Sequence, residues 1–259
     1  MYSNAILAAL HQSSNQTTLP LRPITFQHGT VLAEGSSPIE DVIFPEAGLI
    51  SLVVRLASGE KIEAGMVGRD GVIGAAAAFG TKAHICSAFA QIRGHGWLMR
   101  AADLRRIVRQ NPELDTLLIS GEQHLTAQAQ QMSACGARHH LGPRICSWLL
   151  RASDIVGAGE VEITQEHMSE MLGVQRASVS VLAAQMQEDG LIHYRRGRVS
   201  IVDRAGLRQR ACECYGALQG KRDLLFAVDS PVLEADGTDH SAPHRHNSPV
   251  ARGGFSLGT

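Results

Sequence analysis

Cysteine is sparse in this chain, with five among 259 residues. Cys86, Cys135, Cys146, Cys212 and Cys214 are an odd number without framework spacing, which argues for reduced thiols over structural disulfides. The Cys212-x-Cys214 pair is too short a motif to name a metal site. Long apolar runs are missing too. None approaches the roughly 20 residues needed to span a bilayer, and residues 1–15 lack a basic start followed by a continuous apolar core, so a cytoplasmic protein without membrane partners is expected. A second histidine beside His28 is also absent. Phe26-Gln-His28-Gly with Glu34 faintly suggests a metal-dependent cupin-like jelly-roll enzyme, but three or four converging ligands need a His-x-His neighbour, so no enzyme is expected.

What is present fits a soluble chain with more than one core: 44% hydrophobic and 19% charged residues at a net charge of −1. Residues 1–20 read as a helical or flexible segment. Residues 21–110 are rich in glycine and short apolar runs. Their clearest hairpin is Leu49 to Leu56, a turn at Ala57-Ser58-Gly59, then Glu60 to Met66. Phe26, Val31, Leu32, Val42, Ile43 and Phe44 supply earlier strands, and Gly71 to Gly74, Ser87 to Ile92 and Gly96 to Met99 supply later ones. Many short strands broken by Gly and Pro predict a sandwich or roll closed on itself.

Helical signals take over at Ala101. A short helix runs through Asp103 to Arg109, and Pro112 suits the first turn of a long helix within residues 111–138. Along it Leu114, Leu118, Gly121, Leu125, Gln128, Met132 and Cys135 recur in steps of four and three, a heptad seam. The seam fits a parallel contact between two copies, or packing on the helix's own domain. On a dimer seam Cys135 would approach its copy and respond to oxidation; otherwise it is a small buried hydrophobe. His139-His140-Leu141-Gly142-Pro143 breaks the helix as a hinge, and Arg144 to Ser153 opens a domain spanning residues 139–210. Residues 211–225 read as a helical extension. Residues 226–259, rich in Ser, Gly, Pro, His and Asp, read as a disordered tail holding His240, His244 and His246.

Residues 163–192 carry the sharpest signal. Ser169 is small where two helices would cross, Gly173 suits a tight turn, and Val179 and Leu182 face back toward Met168 and Leu172, as a helix-turn-helix requires. The second helix would present Gln175, Arg176, Ser178 and Ser180 to a major groove. Two short strands, Leu191 to Tyr194 and Val199 to Val202, then flank Arg195-Arg196-Gly197-Arg198, a wing tip too basic to bury and suited to phosphates. Double-stranded DNA is the implied partner. A helix-turn-helix turned protein-interaction module is the alternative, and its binding would ignore salt.

Roll, long helix, hinge and winged helix-turn-helix together resemble the cyclic AMP receptor protein and fumarate–nitrate reduction regulator (CRP/FNR) superfamily over residues 21–210. The likeness is strongest over Gly142-Pro-Arg-Ile-Cys-Ser-Trp-Leu-Leu150 and residues 163–192. Asp70-Gly-Val-Ile-Gly74 followed by Cys86-Ser-Ala88 looks like the family's ligand loop. The resemblance implies an α+β chain with a β-roll, acting as a homodimer on a palindromic promoter and altering RNA polymerase recruitment.

Departures from the pattern matter as much. Cyclic-nucleotide members have glutamate after Ile-Gly and arginine before Ser-Ala; here Ala75 and Cys86 stand there, leaving a bound phosphate without a charged partner. Ala129 and Gln130 replace small hydroxyl residues near the base, so cyclic AMP is not expected, though Gly74, Ala75, Cys86 and Ser87 mark where another anion would sit. The iron–sulfur branch needs cysteines before the roll, and the first is Cys86. His84-x-Cys86 is too little for haem. The reading helix has Arg176, Ala177 and Val181 where the best-known pattern has Arg, Glu and Arg, which predicts a different operator, and Gln175 replaces the usual Ser or Thr N-cap.

Overall fold

The computed structural model describes residues 2–13, 18–157 and 160–226. The tail expected to be disordered, with its three histidines, lies outside the described residues. A first helix, α1 (Ala5–Ser13), precedes β1 (Leu21–Phe26), β2 (Val31–Ala33), β3 (Asp41–Arg55), β4 (Lys61–Val67) and β5 (Ser87–Arg100). They form one antiparallel sheet ordered β1-β5-β3-β4, with β2 pairing the other end of β5. The β3–β4 hairpin forms around the expected turn, Gly59 supplying a φ of 91° at the tip.

Two strand expectations are corrected. Ser87 to Ile92 and Gly96 to Met99 are one strand, β5, which stays paired to β3 through register shifts around Pro45, Ala47 and Leu49. Such bulges bend a long strand without ending it. Gly71 to Gly74 is no strand. Ile73 makes one isolated bridge to Ile43, and Gly74 turns left-handed at φ 82° to start a 3-10 turn, Ala75–Phe79.

Helix α2 (Ala101–Gln110) leads through Pro112 into α3 (Glu113–Arg138). The hinge is only His139 and His140, because α4 (Leu141–Val156) starts earlier than expected. Pro143 fits its first turn, where a missing N–H leaves no bond unmade. Then follow β6 (Glu160–Glu162), α5 (Gln165–Leu172), α6 (Arg176–Glu188), β7 (Ile192–Arg195), β8 (Arg198–Ile201), α7 (Arg204–Arg210) and α8 (Cys214–Phe226). Leu49, Met66 and Ile92 from the sheet share one core with Trp148, Leu149, Met168 and Val179, so sheet and C-terminal helices pack as a unit.

The heptad seam is spent inside the chain, and its reading as a dimer contact is corrected. Leu114 and Leu118 join Ile6, Leu7 and Leu10 of α1 in one core, and Ile6 also lies beside Gly121. Leu125 packs on the sheet, Gln128 bonds the Met66 main chain, and Met132 accepts from Arg151. Cys135 lies 3.6 Å from Cys212 of the same chain, not on a free face. Helices α1 and α8 occupy what a partner would have needed. Leu118→Ala should therefore destabilise the fold by about 2–5 kcal/mol at an unchanged monomer–dimer ratio. Urea melts with sedimentation would show it, and a lost dimer with unchanged stability would contradict this packing.

Candidate nucleic-acid interface

The helix-turn-helix is held by its small and apolar residues. Thr164 caps α5 by accepting from the His167 amide, and Gly173 ends it at φ 64°. Val179, Ala183 and Met186 face the core from α6, and Ser169 is buried at the crossing. That burial turns Arg176, Ala177, Ser178 and Val181 outward; Val181 is 68% exposed. Arg176 is 3.8 Å from Glu166, both well exposed, a contact weak enough to exchange for a base or phosphate. Ser180 turns back, donating to Gln165 Oε1 at 2.6 Å. Gln175 makes no side-chain cap; the Ser178 amide bonds the Gln175 carbonyl at 3.1 Å, which leaves the Arg176 and Ala177 amides at the start of α6 for an anion.

The wing is a hairpin with a two-residue turn, Arg196 and Gly197 at φ 50° and 75°, and Arg195 and Arg198 close it as a pair. Sequence reasoning missed its third strand, β6, which pairs β8 and sets Glu160 and Glu162 at 3.6 and 3.1 Å from Arg198. Arg204 and Arg210 are likewise paired, with Asp154 and Asp189. Arg195 and Arg196 are exposed without an ion pair among the described residues, leaving a basic tip narrower than the count of arginines suggested.

The expected ligand loop is filled by the chain. Ser87 Oγ accepts from the Gly35 amide at 3.0 Å and faces Glu34 at 3.3 Å, so it is not free for an anion. Burial pushes the Glu122 carboxyl of α3 up against the opposing pull of the Ala76 main chain, and burial, followed by the Glu122 charge, raises the Cys86 thiol. The Glu122 carboxyl thus lies within electrostatic reach of the Cys86 side chain. The adjoining cavity, lined by Val72, Ala75, Leu118 and Glu122, measures about 20 Å³, room for one water. His84 and Cys86 join no group of metal-competent side chains among the described residues.

Neither do the jelly-roll ligands converge. His28 Nδ1 bonds the Gln91 carbonyl at 2.8 Å and its Nε2 faces His167 Nε2 of α5 at 3.3 Å, while Glu34 turns to Ser87. What does converge is a buried polar relay between sheet and helix-turn-helix domain that the sequence did not reveal. Glu63 of β4 accepts from Ser51 at 2.5 Å and from Trp148 Nε1 of α4 at 3.0 Å. Burial raises its carboxyl to about 7, against the opposing pull of Arg151 and these two donors. Arg151 of α4 donates to Gln128 of α3 at 2.5 Å, and Gln128 brackets the Met66 main chain at 2.9 and 3.1 Å. Four elements, β3, β4, α3 and α4, thus meet through five polar side chains.

A family model for a Crp-like helix-turn-helix domain matches residues 143–210. Among solved structures, FixK2 from Bradyrhizobium japonicum gives a TM-score of 0.66 at 16% identity, covering 75% of this chain and 98% of its own. The c-di-GMP-responsive global regulator CLP of Xanthomonas campestris gives 0.60 at 13% identity, covering 75% and 98%. TTHB099, a CRP-family transcriptional regulator from Thermus thermophilus, gives 0.59 at 21%, covering 73% and 96%. No curated protein matches by sequence. The structural matches establish the fold of CRP/FNR regulators, and the family model establishes residues 143–210 as a Crp-like helix-turn-helix domain.

Proposed function

We propose that this DNA-binding regulator of the CRP/FNR type acts as a homodimer on a palindromic duplex, reading it with α6 and gripping phosphates with the wing tip. The observation that carries the reading is the exposed row Arg176, Ala177, Ser178 and Val181 beside an uncapped helix N-terminus, flanked by the unpaired Arg195 and Arg196. A bidentate Arg176–guanine contact contributes about 1–3 kcal/mol of discrimination, roughly 5- to 150-fold. Ala177 and Val181 suit apolar features such as a thymine methyl. RNA polymerase is the further partner, and the location is the cytoplasm, where promoter DNA is met; no described helix is long and apolar enough to cross a membrane.

With the seam spent, the dimer contact falls to the opposite face of α3. Ile119, Gln123, Thr126, Gln130, Ser133 and Ala137 are all exposed and recur in steps of four and three. Ala129 and Ser133 also border an open groove of about 440 Å³ whose other wall carries the exposed Val54, Leu56 and Ile62. Ile119→Glu with Thr126→Glu should shift the chain to monomer and weaken operator binding at least tenfold, with little change in melting. A dimer that persists through both substitutions removes this face from consideration.

The effector is not a cyclic nucleotide on this reading: Glu122 opposes a phosphate and the adjoining cavity is far too small. No enzymatic role is proposed. Selection of bound duplexes from a random pool, repeated with Arg176→Ala, tests the whole reading. We expect a palindrome whose preference relaxes at one position per half-site in the variant. Arg196→Ala should instead weaken all sequences alike and flatten the salt slope by about one. Equal affinity for every duplex by the parent protein would overturn the proposal.

A further inference from the structure

Outside the nucleic-acid interface, four side chains from three segments converge at the hinge: Cys135 from the end of α3, His139 from the hinge, and Cys212 and Cys214 from the junction of α7 and α8. We propose that they form a closed tetrahedral site for a zinc-class divalent ion, with Cys135, Cys212 and Cys214 sulfurs and His139 Nδ1 as ligands. All four ligand atoms lie within 4.8 Å of one another. Zn–S near 2.3 Å and Zn–N near 2.0–2.1 Å imply tetrahedral edges of about 3.8 Å between sulfurs and about 3.6 Å from sulfur to nitrogen. The Cys135–Cys212 sulfurs are 3.6 Å apart, and Cys214 Sγ is 3.5 Å from His139 Nδ1.

The surroundings supply what an ion of this kind requires. His139 Nε2 faces the Glu213 carboxylate at 3.1 Å, which selects the tautomer that leaves Nδ1 free for a metal, the usual carboxylate–histidine–zinc arrangement. Gln131 Nε2 donates to Cys214 Sγ at 3.1 Å, a bond that favours thiolate. Arg151, buried beneath the cluster, lies within electrostatic reach of all three sulfurs and offsets the charge of one divalent ion with three thiolates. Cys135, Cys212 and Cys214 form a small core of their own, shielded from solvent. Three thiolates and one imidazole suit zinc over magnesium or calcium, which take oxygen.

Binding displaces the three thiol protons to solvent and leaves no coordination position open, so the site is structural and not catalytic. It pins α8 to the end of α3 across a hinge of two residues. The ion therefore sets how the helix-turn-helix domain stands on the long helix, and its loss frees the helix that covers the lower part of the heptad stripe.

The test uses the full chain, reduced, stripped of metal and reloaded with Zn²⁺ or Co²⁺. We expect about one tightly held equivalent per chain, thiolate-to-cobalt charge transfer with tetrahedral ligand-field bands, and a melting temperature that falls on chelation and recovers with zinc. Cys214→Ser should lose the ion and the bands, while Cys86→Ser, outside the cluster, should keep both. His139→Ala, at a partly exposed position, checks the same loss should a cysteine variant fail to fold. Three results would each overturn the proposal: octahedral cobalt without thiolate bands in the parent, equal metal loss in Cys86→Ser and Cys214→Ser, or a Cys135–Cys212 disulfide in untreated protein that holds no metal.

Discussion

Arg151→Ala should cost about 3–5 kcal/mol of stability, and more at pH 8 than at pH 5. Its guanidinium is buried, donates to Gln128, and is the cation that opposes the desolvation of Glu63. In the folded chain Glu63 keeps its proton to about pH 7 against 4.5 ordinarily. Between those values the native state holds the proton and the unfolded chain does not, so this group's contribution is full below pH 4.5 and is lost as pH rises through 7. The shift corresponds to about 3 kcal/mol. Removing Arg151 raises the carboxyl further, so the variant's deficit grows with pH. Glu63→Gln should flatten the dependence between pH 5 and 8. Combining Glu63→Gln with Arg151→Met should recover much of the loss, since an apolar replacement leaves no stranded charge. Urea melts of the four proteins at both pH values decide this. A deficit independent of pH, or a double variant as weak as the sum of the singles, would refute the coupling.

Gly94→Ala should abolish folding of the sheet or cost about 4 kcal/mol or more. A Cβ there would lie 2.0 Å from the Ala47 carbonyl oxygen and 2.8 Å from the Phe26 ring. Both neighbours are fixed, one by the bulged β3–β5 ladder and one by burial, so no rotamer relieves the clash. Gly220→Ala is the contrast. In α8 its Cβ would meet nothing within 4 Å, and alanine should stabilise the helix by about 0.5–1 kcal/mol. Thermal melts of both variants check the pair; a Gly94→Ala protein that melts within a few degrees of the parent would show that the ladder yields.

Much of the architecture is written in local pattern. The apolar runs of β3 and β4 around the Gly59 turn, Gly173 at the helix-turn-helix corner, Thr164 before α5 and the Arg196-Gly197 wing tip each act through their own φ, ψ or burial face. That is why residues 163–201 were legible: turn chemistry and periodicity are properties of neighbours in the chain. The outward row Arg176, Ala177, Ser178 and Val181 follows from the same period once Val179 and Ala183 point inward. The Ser180 contact was not legible there, because its partner, Gln165, lies on another helix.

Partner choice between distant segments obeys no such rule. A heptad stripe states only that α3 has an apolar face; α1 and α8 of the same chain reach it first, and nothing in Leu114 or Leu118 specifies whose side chains those are. Arg198 carried the same charge in the sequence as Arg196, but β6 brought its two carboxylates to Arg198 and not to Arg196. Glu63 and Arg151 carried no signal in the sequence, and Gln128 only a place in the heptad stripe; the packing of β4, α3 and α4 buries them together, where a low dielectric makes each charge felt by the others. Cys135, His139, Cys212 and Cys214 span 80 positions of chain and become one cluster only when α8 folds back along α3. Local rules draw the elements; the burial of one element's polar atoms against another's decides the chemistry.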